Sequence, residues 1–359
     1  MKDLVVEGNI FHNGRMVQGR YSIRDDAFVE DSRRPSIKGT LLKGPVNFHT
    51  HLGDSFISEE PIGDIPSIVG PSGFKINKLN AAAIQEIRQG MKRSIEFMKS
   101  VGTAAFFDFR ESGLRGIKSI PSFERIGGFF LTRPNDSSEI SDLLESSAGF
   151  GFSSVSDYDE SFLVKSSNAS HKHGKIFAIH FSENEREDVR SLLRLKPEFV
   201  VHCIEASDDD IKAIRDHGIP IVLTPRSNIF HGKRPNYRKL FDSGAEILIG
   251  TDNVFIAEPD VMEEASFLFQ YQHGLARVSP DSIISAVTET PRTVMRKFGL
   301  VTDEETYILY GEKLSSYQIL TRPHLYAKLV IKKRGKRINF FPRINSAKEV
   351  EIRWPATSS

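Results

Sequence analysis

Two histidines separated by one residue, His49 and His51, end a short apolar segment over residues 41–48. The composition of this segment favours a buried strand. Side chains at positions i and i+2 of a strand project from the same side, so both imidazoles leave the strand end together while Thr50 faces away. Two neutral imidazoles held this close form half of a site for a divalent transition metal, zinc above all. A His-x-His pair often occurs by chance, so the rest of the chain decides its meaning.

Three more reactive side chains end apolar, strand-like runs, namely His180, His202 and Asp252. Glu183 follows His180 by three residues. Repeated placement of reactive side chains at the carboxyl ends of strands is how a (β/α)8 barrel builds its active site. A single histidine that ends an apolar run is more often a buried core residue. Its repetition at four places in one chain argues against that interpretation.

The predicted metal ligands are three imidazoles and one carboxylate: His49, His51, His180 and Asp252. Such a set leaves a coordination position for water, as a catalytic zinc site requires. The metal lowers the pKa of its bound water to about 7, which produces hydroxide near neutral pH. We therefore predict one divalent ion per chain.

The predicted catalytic residues are Asp252, Glu183 and His202. Asp252 can touch the metal and also accept the proton of the bound water. Glu183, just beyond its strand, is placed to carry protons to a substrate. His202, one strand further along, can donate a hydrogen bond to an oxyanion or polarise the attacked bond.

The elements that must position these residues alternate between strands and helices, which indicates a parallel sheet with crossover helices. Strands are predicted over residues 43–48, 103–108, 125–131, 148–153, 175–180, 198–202, 219–223 and 246–250. Helices are predicted over 81–99, 137–146, 185–195, 208–217, 259–270 and 281–298. Ser207, followed by three aspartates, is a typical helix start. Eight strands is the number that a closed barrel requires.

The two ends of the chain have a different pattern from the middle. Residues 1–40 and 305–359 alternate apolar and polar residues with turn residues between them, which indicates short strands and hairpins. The simplest arrangement pairs both ends in one small β domain, with the barrel over residues 41–304. The basic run 332–337 is predicted to be a hairpin turn around Gly335, in preference to a nucleic-acid patch.

Residues 52–80 form the longest segment without clear periodicity, and they are rich in Gly, Pro and Ser. A long irregular loop in a compact domain is usually a lid or a binding loop. Its place directly after the two histidines favours a substrate cover over surface filler.

The composition restricts the class of protein. The chain has 359 residues, of which 39% are hydrophobic and 26% charged, as in soluble globular proteins. A net charge of +1 provides no field that would draw the protein to nucleic acid or an anionic membrane. We expect water and a small molecule as its partners. The sequence leaves open whether the chain forms a homo-oligomer.

Cys203 is the single cysteine, so an intramolecular disulfide is excluded and a reducing compartment is indicated. Because it directly follows His202, it is predicted to face the helices as a small buried residue. The first residues have no apolar leader, and no apolar run reaches the ~18 residues of a membrane span. A cytoplasmic protein is therefore expected.

The constellation resembles the amidohydrolase superfamily over nearly the whole chain. The matching stretches are residues 44–51, 180–183, 201–203, 224–228 and 250–253. The His-x-x-Glu at His180 and the Thr-Pro-x-Ser-Asn at 224–228 look most like the cytosine deaminase and chlorohydrolase branch, which includes guanine and S-adenosylhomocysteine deaminases. The resemblance implies an α/β fold, a distorted (β/α)8 TIM barrel with a small β-sandwich formed by both termini. It also implies one zinc or iron ion and hydrolytic loss of ammonia from an aromatic ring.

Several alternatives stay open beside this resemblance. Binuclear relatives bridge two metals with a lysine or an acid at a strand end, whereas 129–133 and 148–155 offer no such group at the end of the strand. We predict deamination of a purine, pyrimidine or pterin. Cyclic amide or imidazolone hydrolysis and dehalogenation use the same site. A non-catalytic scaffold is less favoured because no ligand position is missing.

The predicted substrate contacts are Arg110, Arg133, Arg226 and Asn228. Each arginine follows a barrel strand, at the rim where it could grip a carboxylate or a phosphate. Arginines at a rim also commonly form structural ion pairs. Asp108 and Glu111 are such partners for Arg110.

Overall fold

The computed structural model describes residues 4–342. Its strands are β1 Val5–His12, β2 Arg15–Ser22, β3 Ala27–Val29, β4 Ile37–Lys43, β5 Val46–His51, β6 Ala105–Arg110, β7 Gly127–Thr132, β8 Gly149–Phe152, β9 Ile176–Phe181, β10 Phe199–His202, β11 Ile221–Leu223, β12 Ile247–Ile249, β13 Asp252–Asn253, β14 Glu305–Tyr310, β15 Ala327–Arg334 and β16 Arg337–Pro342.

The helices of the same residues are mostly short. They are α1 Ile65–Val69, α2 Phe74–Ala81, α3 Ile84–Ser100, α4 Gly113–Lys118, α5 Ile140–Ser146, α6 Glu160–Lys172, α7 Val189–Leu195, α8 Asp208–Asp216, α9 Pro225–Phe230, α10 Tyr237–Asp242, α11 Val261–His273, α12 Pro280–Val287, α13 Glu289–Lys297 and α14 Ser316–Thr321. A 3-10 helix covers Leu52–Asp54. No helix of this part of the chain has both the length and the apolar character needed to cross a membrane.

The strands β5 to β12 pair in parallel with their neighbours in chain order. The short β13 continues from β12 and pairs in parallel with β5, the first strand. Next to this pair, the backbone N–H of Thr251 donates to the carbonyl of His49 at 2.9 Å. The ring of eight strands therefore closes, and the prediction of a (β/α)8 barrel with these eight strands is confirmed.

Phenylalanine rings fill the barrel interior beneath the strand ends. Phe48 stacks on Phe107 with ring centroids 4.1 Å apart, and Phe199 meets Phe48 edge-on at 5.2 Å. Phe109 lies edge-on to His49 at 4.5 Å. Parallel barrel strands are buried on both faces, which explains why they are continuous apolar runs in the sequence. These rings thus form the apolar base of the barrel mouth below His49.

A second sheet joins the two ends of the chain, as predicted. Its seven strands have the order β16-β15-β14-β4-β1-β2-β3, so that β14 from the C-terminal part pairs antiparallel with β4 from the N-terminal part. β4 runs through the expected boundary at residue 40. The division into domains at residues 40 and 304 stays a prediction, and its part over 343–359 lies outside the described residues.

The basic run is the hairpin that the sequence predicts. β15 and β16 pair antiparallel around Gly335, whose φ of 55° suits glycine. One member of the run differs from a solvated turn residue: Lys332 is buried, and its ammonium donates to the carbonyl of Arg125 and the hydroxyl of Thr306. Lys332 therefore joins this hairpin to the barrel.

The single long helix predicted over 281–298 is wrong, because α12 ends at Val287 and α13 begins at Glu289. Pro291 lacks an N–H, and a proline ring clashes with the carbonyl four residues earlier, here that of Val287. Thr288 lies between the two helices, with φ −116° and ψ −65°.

Two smaller predictions about the helical layer are confirmed. Ser207 caps α8 in a capping box with Asp210. Cys203 is buried in the same apolar cluster as Ile211 of α8, so it packs toward the helices.

Candidate active site

The barrel brings the four predicted metal ligands, His49, His51, His180 and Asp252, to one point, with one ligand atom of each within 4.8 Å of the others. The Nε2 atom of His49 lies 3.1 Å from Nε2 of His180 and 3.3 Å from Oδ1 of Asp252. Nε2 of His51 lies 3.4 Å from the same Oδ1. All four side chains are buried. Residues separated by up to about 200 positions thus form one cluster.

Hydrogen-bond acceptors determine which ring nitrogen of His180 and of His51 is protonated. Nδ1 of His180 lies 2.7 Å from the carbonyl of Phe152, and Nδ1 of His51 lies 3.2 Å from the carbonyl of Phe109 and 2.7 Å from a carboxylate oxygen of Glu111. Because these oxygens only accept, each Nδ1 carries the proton and each Nε2 is left bare toward the cluster.

Burial also keeps these imidazoles neutral. It lowers the pKa of His180 well below the usual value and that of His51 to about 4. Neutral rings with bare nitrogens, facing each other and a carboxylate, are the donor set that a divalent metal requires. The residues therefore fit a metal ion.

Hydrogen bonds between the first and last barrel strands hold Asp252 in place. Asn47 donates from Nδ2 to the hydroxyl of Thr251 at 2.8 Å and accepts from the Thr251 N–H at 3.1 Å. Thr50 faces away from the cluster, as predicted, toward the Phe107 carbonyl at 3.1 Å. The strand closure that completes the barrel thus also aligns the ligands.

Gly250 is required at this closure, and Gly250→Ala tests it. An added Cβ would lie 2.6 Å from both the Cβ and the N of His49. We expect the substitution to push the two strands apart, to destabilise the fold by about 1–3 kcal/mol and to lower the bound metal. Thermal unfolding and elemental analysis measure both effects. The control is Gly274→Ala, where no atom of the described residues lies within 4 Å of an added Cβ and φ is −77°. Equal behaviour of the two variants would contradict the expectation.

Glu183 and His202 lie beside the four predicted metal ligands. Oε2 of Glu183 lies 3.4 Å from Nε2 of His202, and together with Asp252 they form a second group of neighbouring ligand-type atoms. Burial raises the pKa of Glu183 to about 8, and the negative charge of Asp252 contributes to this rise. A carboxyl group with a pKa near the working pH is suited to proton transfer.

Backbone strain is concentrated at the same strand ends. Positive φ values occur at Ser182 after β9, at His202 and Cys203 at the end of β10, and at Asp252 in β13. Non-glycine residues seldom adopt this region, and such strain clusters at functional sites. Of these four residues, His202 and Asp252 line the cavity described next.

A cavity of about 190 Å³ opens over the cluster, and His51, His180, Glu183, His202 and Asp252 are part of its wall. Residues 52–80 contribute another part of that wall, including Ile65 and Val69 of α1 and Lys75 of α2. The segment predicted as an irregular loop contains two short helices and the 3-10 helix. Its predicted place beside the site agrees with the structure.

The structure separates the three predicted arginines. Arg133 lines the cavity, donates from Nε to the carbonyl of Gly151 at 3.3 Å, and has no ion pair within residues 4–342. Arg110 is buried and pairs with Glu111 at 2.9 Å. Arg226 pairs with Glu264. Neither of these two lines the cavity, so both have the structural ion pairs that the sequence analysis weighed as the alternative.

Three residues near the site were not among the predicted catalytic, metal-binding or substrate-binding residues. Asp54 accepts from Nδ2 of Asn253 at 2.8 Å and from the N–H of Val254 at 2.9 Å, which ties the segment after β13 to the segment after β5. Burial raises the pKa of Asp54 to about 8. Its position three residues after His51 is a local signal that could have found it.

Glu111 and Lys75 are the other two. Lys75 donates to Oε1 of Glu111 at 2.8 Å, and that same oxygen accepts from His51. Lys75 is buried although it comes from the segment with the least regular sequence. No local pattern marks it, because its partner is 36 residues away.

Comparison with known proteins agrees with this geometry. Residues 40–299 match the model of the amidohydrolase family. The chain is 28% identical over 328 residues to a protein of Archaeoglobus fulgidus provisionally named an aminohydrolase, over 85% of this chain and 96% of that protein.

Two solved structures are similar in fold. The 5-methylcytosine deaminase from Klebsiella pneumoniae, liganded with phosphonocytosine, has a TM-score of 0.70 at 12% identity over 98% of this chain and all of that one (100%). The guanine deaminase from C. acetobutylicum, with guanine in its active site, has a TM-score of 0.69 at 14% identity, over 94% and 99% of the two chains.

Proposed function

The chain belongs to the amidohydrolase family and is a hydrolase of carbon–nitrogen bonds, and on that premise we propose that it is a mononuclear metal-dependent aminohydrolase. In this proposal it removes ammonia from a small N-heterocycle of the purine, pyrimidine or pterin type, with water as the second substrate. The observation that carries the proposal is the convergence of His49, His51, His180 and Asp252 beside a cavity whose wall also includes Glu183 and His202. The single buried cysteine supports a reducing, cytoplasmic setting.

The four ligands would hold one divalent ion, zinc in the first place and iron as the alternative. When bound, such an ion acidifies water and supplies a nucleophile near neutral pH. The sequence at the ends of β7 and β8, residues 129–133 and 148–155, contains no lysine or acid, and no acid from there belongs to the ligand cluster within residues 4–342. This supports one ion rather than a bridged pair.

The remaining steps fall to three side chains. Asp252, beside the ligand nitrogens of His49 and His51, accepts the proton of the attacking water. Glu183 gives its proton to the ring nitrogen, then takes up the second proton of the attacking water and passes it to the leaving amine, for which a pKa near neutrality is suited. Asp252 releases its proton to solvent and Glu183 takes one up, which resets the site. His202 donates from Nε2 toward the charge that develops at the attacked carbon.

The presence of a proton carrier favours deamination over dehalogenation. An amine is a poor leaving group until it is protonated, whereas chloride departs without an acid. Glu183 lies in the cavity wall, next to His202 and Asp252. An acid at that place is needed for ammonia and superfluous for chloride.

Arg133 is the substrate contact that we infer among the predicted arginines. Its guanidinium lines the cavity without an acidic partner in the part of the chain that the structure describes. Ser153 and Ser154 belong to the same wall. A guanidinium group such as that of Arg133 suits a carboxylate or phosphate on the heterocycle.

A screen for ammonia release tests the proposal. Zinc-loaded protein is assayed with purines, pyrimidines, pterins and triazines, each with and without an acidic substituent. We expect at least one compound to be deaminated with kcat/KM of about 10⁴ M⁻¹s⁻¹ or above, the lower end of ordinary enzyme efficiency. Ring-amide opening without ammonia at that efficiency would replace deamination by cyclic amide hydrolysis, and halide release would replace it by dehalogenation. Full zinc occupancy without any turnover would favour a scaffold.

A further inference from the structure

A chain of buried hydrogen bonds lies behind His202, on the side away from the cavity. Nδ2 of Asn228 in α9 is 3.2 Å from Nδ1 of His202, and the hydroxyl of Tyr237 in α10 donates to Oδ1 of Asn228 at 3.0 Å. The hydroxyl of Thr224 is 3.0 Å from the same Nδ1. All four side chains are buried, so water does not compete for these bonds. Asn228, predicted as a substrate contact, therefore touches His202 and does not line the cavity.

The donor character of an amide NH₂ settles the protonation of the ring. Because Nδ2 of Asn228 only donates, the ring nitrogen that faces it must accept. A neutral imidazole has one protonated and one bare nitrogen, so the proton of His202 is on Nε2. This nitrogen points toward Glu183, on the cavity side.

Tyr237 decides which way the Asn228 amide faces. If the amide were rotated by 180°, its NH₂ would face the tyrosine and its oxygen would face His202. The hydroxyl proton of Tyr237 would then lack an acceptor, because within residues 4–342 that hydroxyl has Asn228 as its hydrogen-bond partner and no other. A buried donor without an acceptor costs about 1–3 kcal/mol. The rotated amide is therefore disfavoured.

We propose that Asn228 and Tyr237 are positioning residues that hold His202 in the tautomer with the proton on Nε2. In this form the ring donates a hydrogen bond into the cavity, whereas the other tautomer would present a lone pair there. The use of that hydrogen bond in deamination rests on the proposed function. The tautomer itself does not.

The first test replaces the hydrogen-bond donor that faces Nδ1 of His202 by an acceptor. The substitution is Asn228→Asp, and aspartate has nearly the same shape as asparagine. A carboxylate in that place accepts, so the proton is expected to move from Nε2 to Nδ1. Long-range ¹H–¹⁵N spectra of zinc-loaded protein with ¹⁵N-labelled histidine report both nitrogens, and a His202→Gln spectrum assigns the signals. A protonated Nδ1 in the wild-type protein, or a bare Nδ1 in the variant, would overturn the proposal.

The second test uses activity. Loss of a donor that faces developing charge costs about 10²-fold in kcat, so we expect at least that for Asn228→Asp, with unchanged zinc content. Tyr237→Phe removes only the hydroxyl, and we expect about a fivefold fall in kcat with little change in KM. The control is Tyr271→Phe, whose hydroxyl donates to the carbonyl of Pro235 and does not touch His202. Equal kcat values for the two Tyr→Phe variants would remove Tyr237 from the proposal.

The two readouts keep this inference apart from the proposed function. The spectra need no substrate, so a protein that releases no ammonia can still show the predicted tautomer. An active deaminase with Nδ1 protonated would contradict the positioning role and leave deamination intact.

Discussion

His49→Ala is expected to abolish both metal binding and turnover. His49 is fully buried, and its Nε2 faces His180 at 3.1 Å and Asp252 at 3.3 Å, so it is central to the four-ligand cluster. With three ligands left and a cavity in place of the ring, the site no longer matches the four-ligand geometry of a metal centre. Elemental analysis should find about one divalent ion per wild-type chain and none in the variant.

The control for this experiment is His217→Ala, because His217 is an exposed residue at the end of α8, away from the barrel mouth. It should keep both metal and activity. Circular dichroism of the His49 variant verifies that the fold remains. Active wild-type protein with no metal, or with two ions per chain, would contradict the mononuclear site, and so would a His49 variant that keeps its ion.

Glu183→Gln is expected to lower kcat by ~10²-fold or more while the metal stays bound. Glutamine has the size of glutamate but cannot take up and release a proton. Glu183 lies 3.4 Å from His202 and belongs to the cavity wall, whereas the four-ligand cluster is complete without it. Steady-state kinetics and elemental analysis measure the two effects, with exposed Glu145→Gln as the control.

The pH dependence gives a second measurement on the same variant. Burial and the charge of Asp252 raise the pKa of Glu183 to about 8, and a bound cation opposes this rise. The carboxyl group is protonated below its pKa, so a step that needs its proton slows as the pH rises through that value. This limb of the rate profile should be absent in Glu183→Gln. Loss of the metal in the variant would instead make Glu183 a ligand.

The barrel was predictable because its strands are local features of the chain. Parallel strands buried on both faces are continuous apolar runs, and a reactive side chain at the end of such a run stands out, as with His180 and Asp252. The eight strands and the candidate metal ligands could therefore be located without knowledge of their neighbours. The break at Thr288 was also local, since Pro291 signals it, but a regular apolar pattern on both sides concealed it.

The segment 52–80 shows the limit of periodicity. Its helices α1 and α2 have five and eight residues, too few to produce a helical pattern in the sequence. Tertiary contacts stabilise helices of this length more than their own propensity does. The buried pair of Lys75 and Glu111 is one such contact.

The sequence by itself determined the barrel, the candidate metal ligands and the two proton-transferring candidates, because each depends on residue type and position along one strand. The tertiary structure decided the partners of the polar side chains. Arg110 and Arg226 pair with carboxylates, whereas Arg133 has no such pair within residues 4–342, and Asn228 faces His202 instead of the cavity. The physical reason is that a charge or an amide takes its role from the groups within hydrogen-bond distance. Those groups come from strands and helices that are far apart in the chain and meet only when the barrel closes.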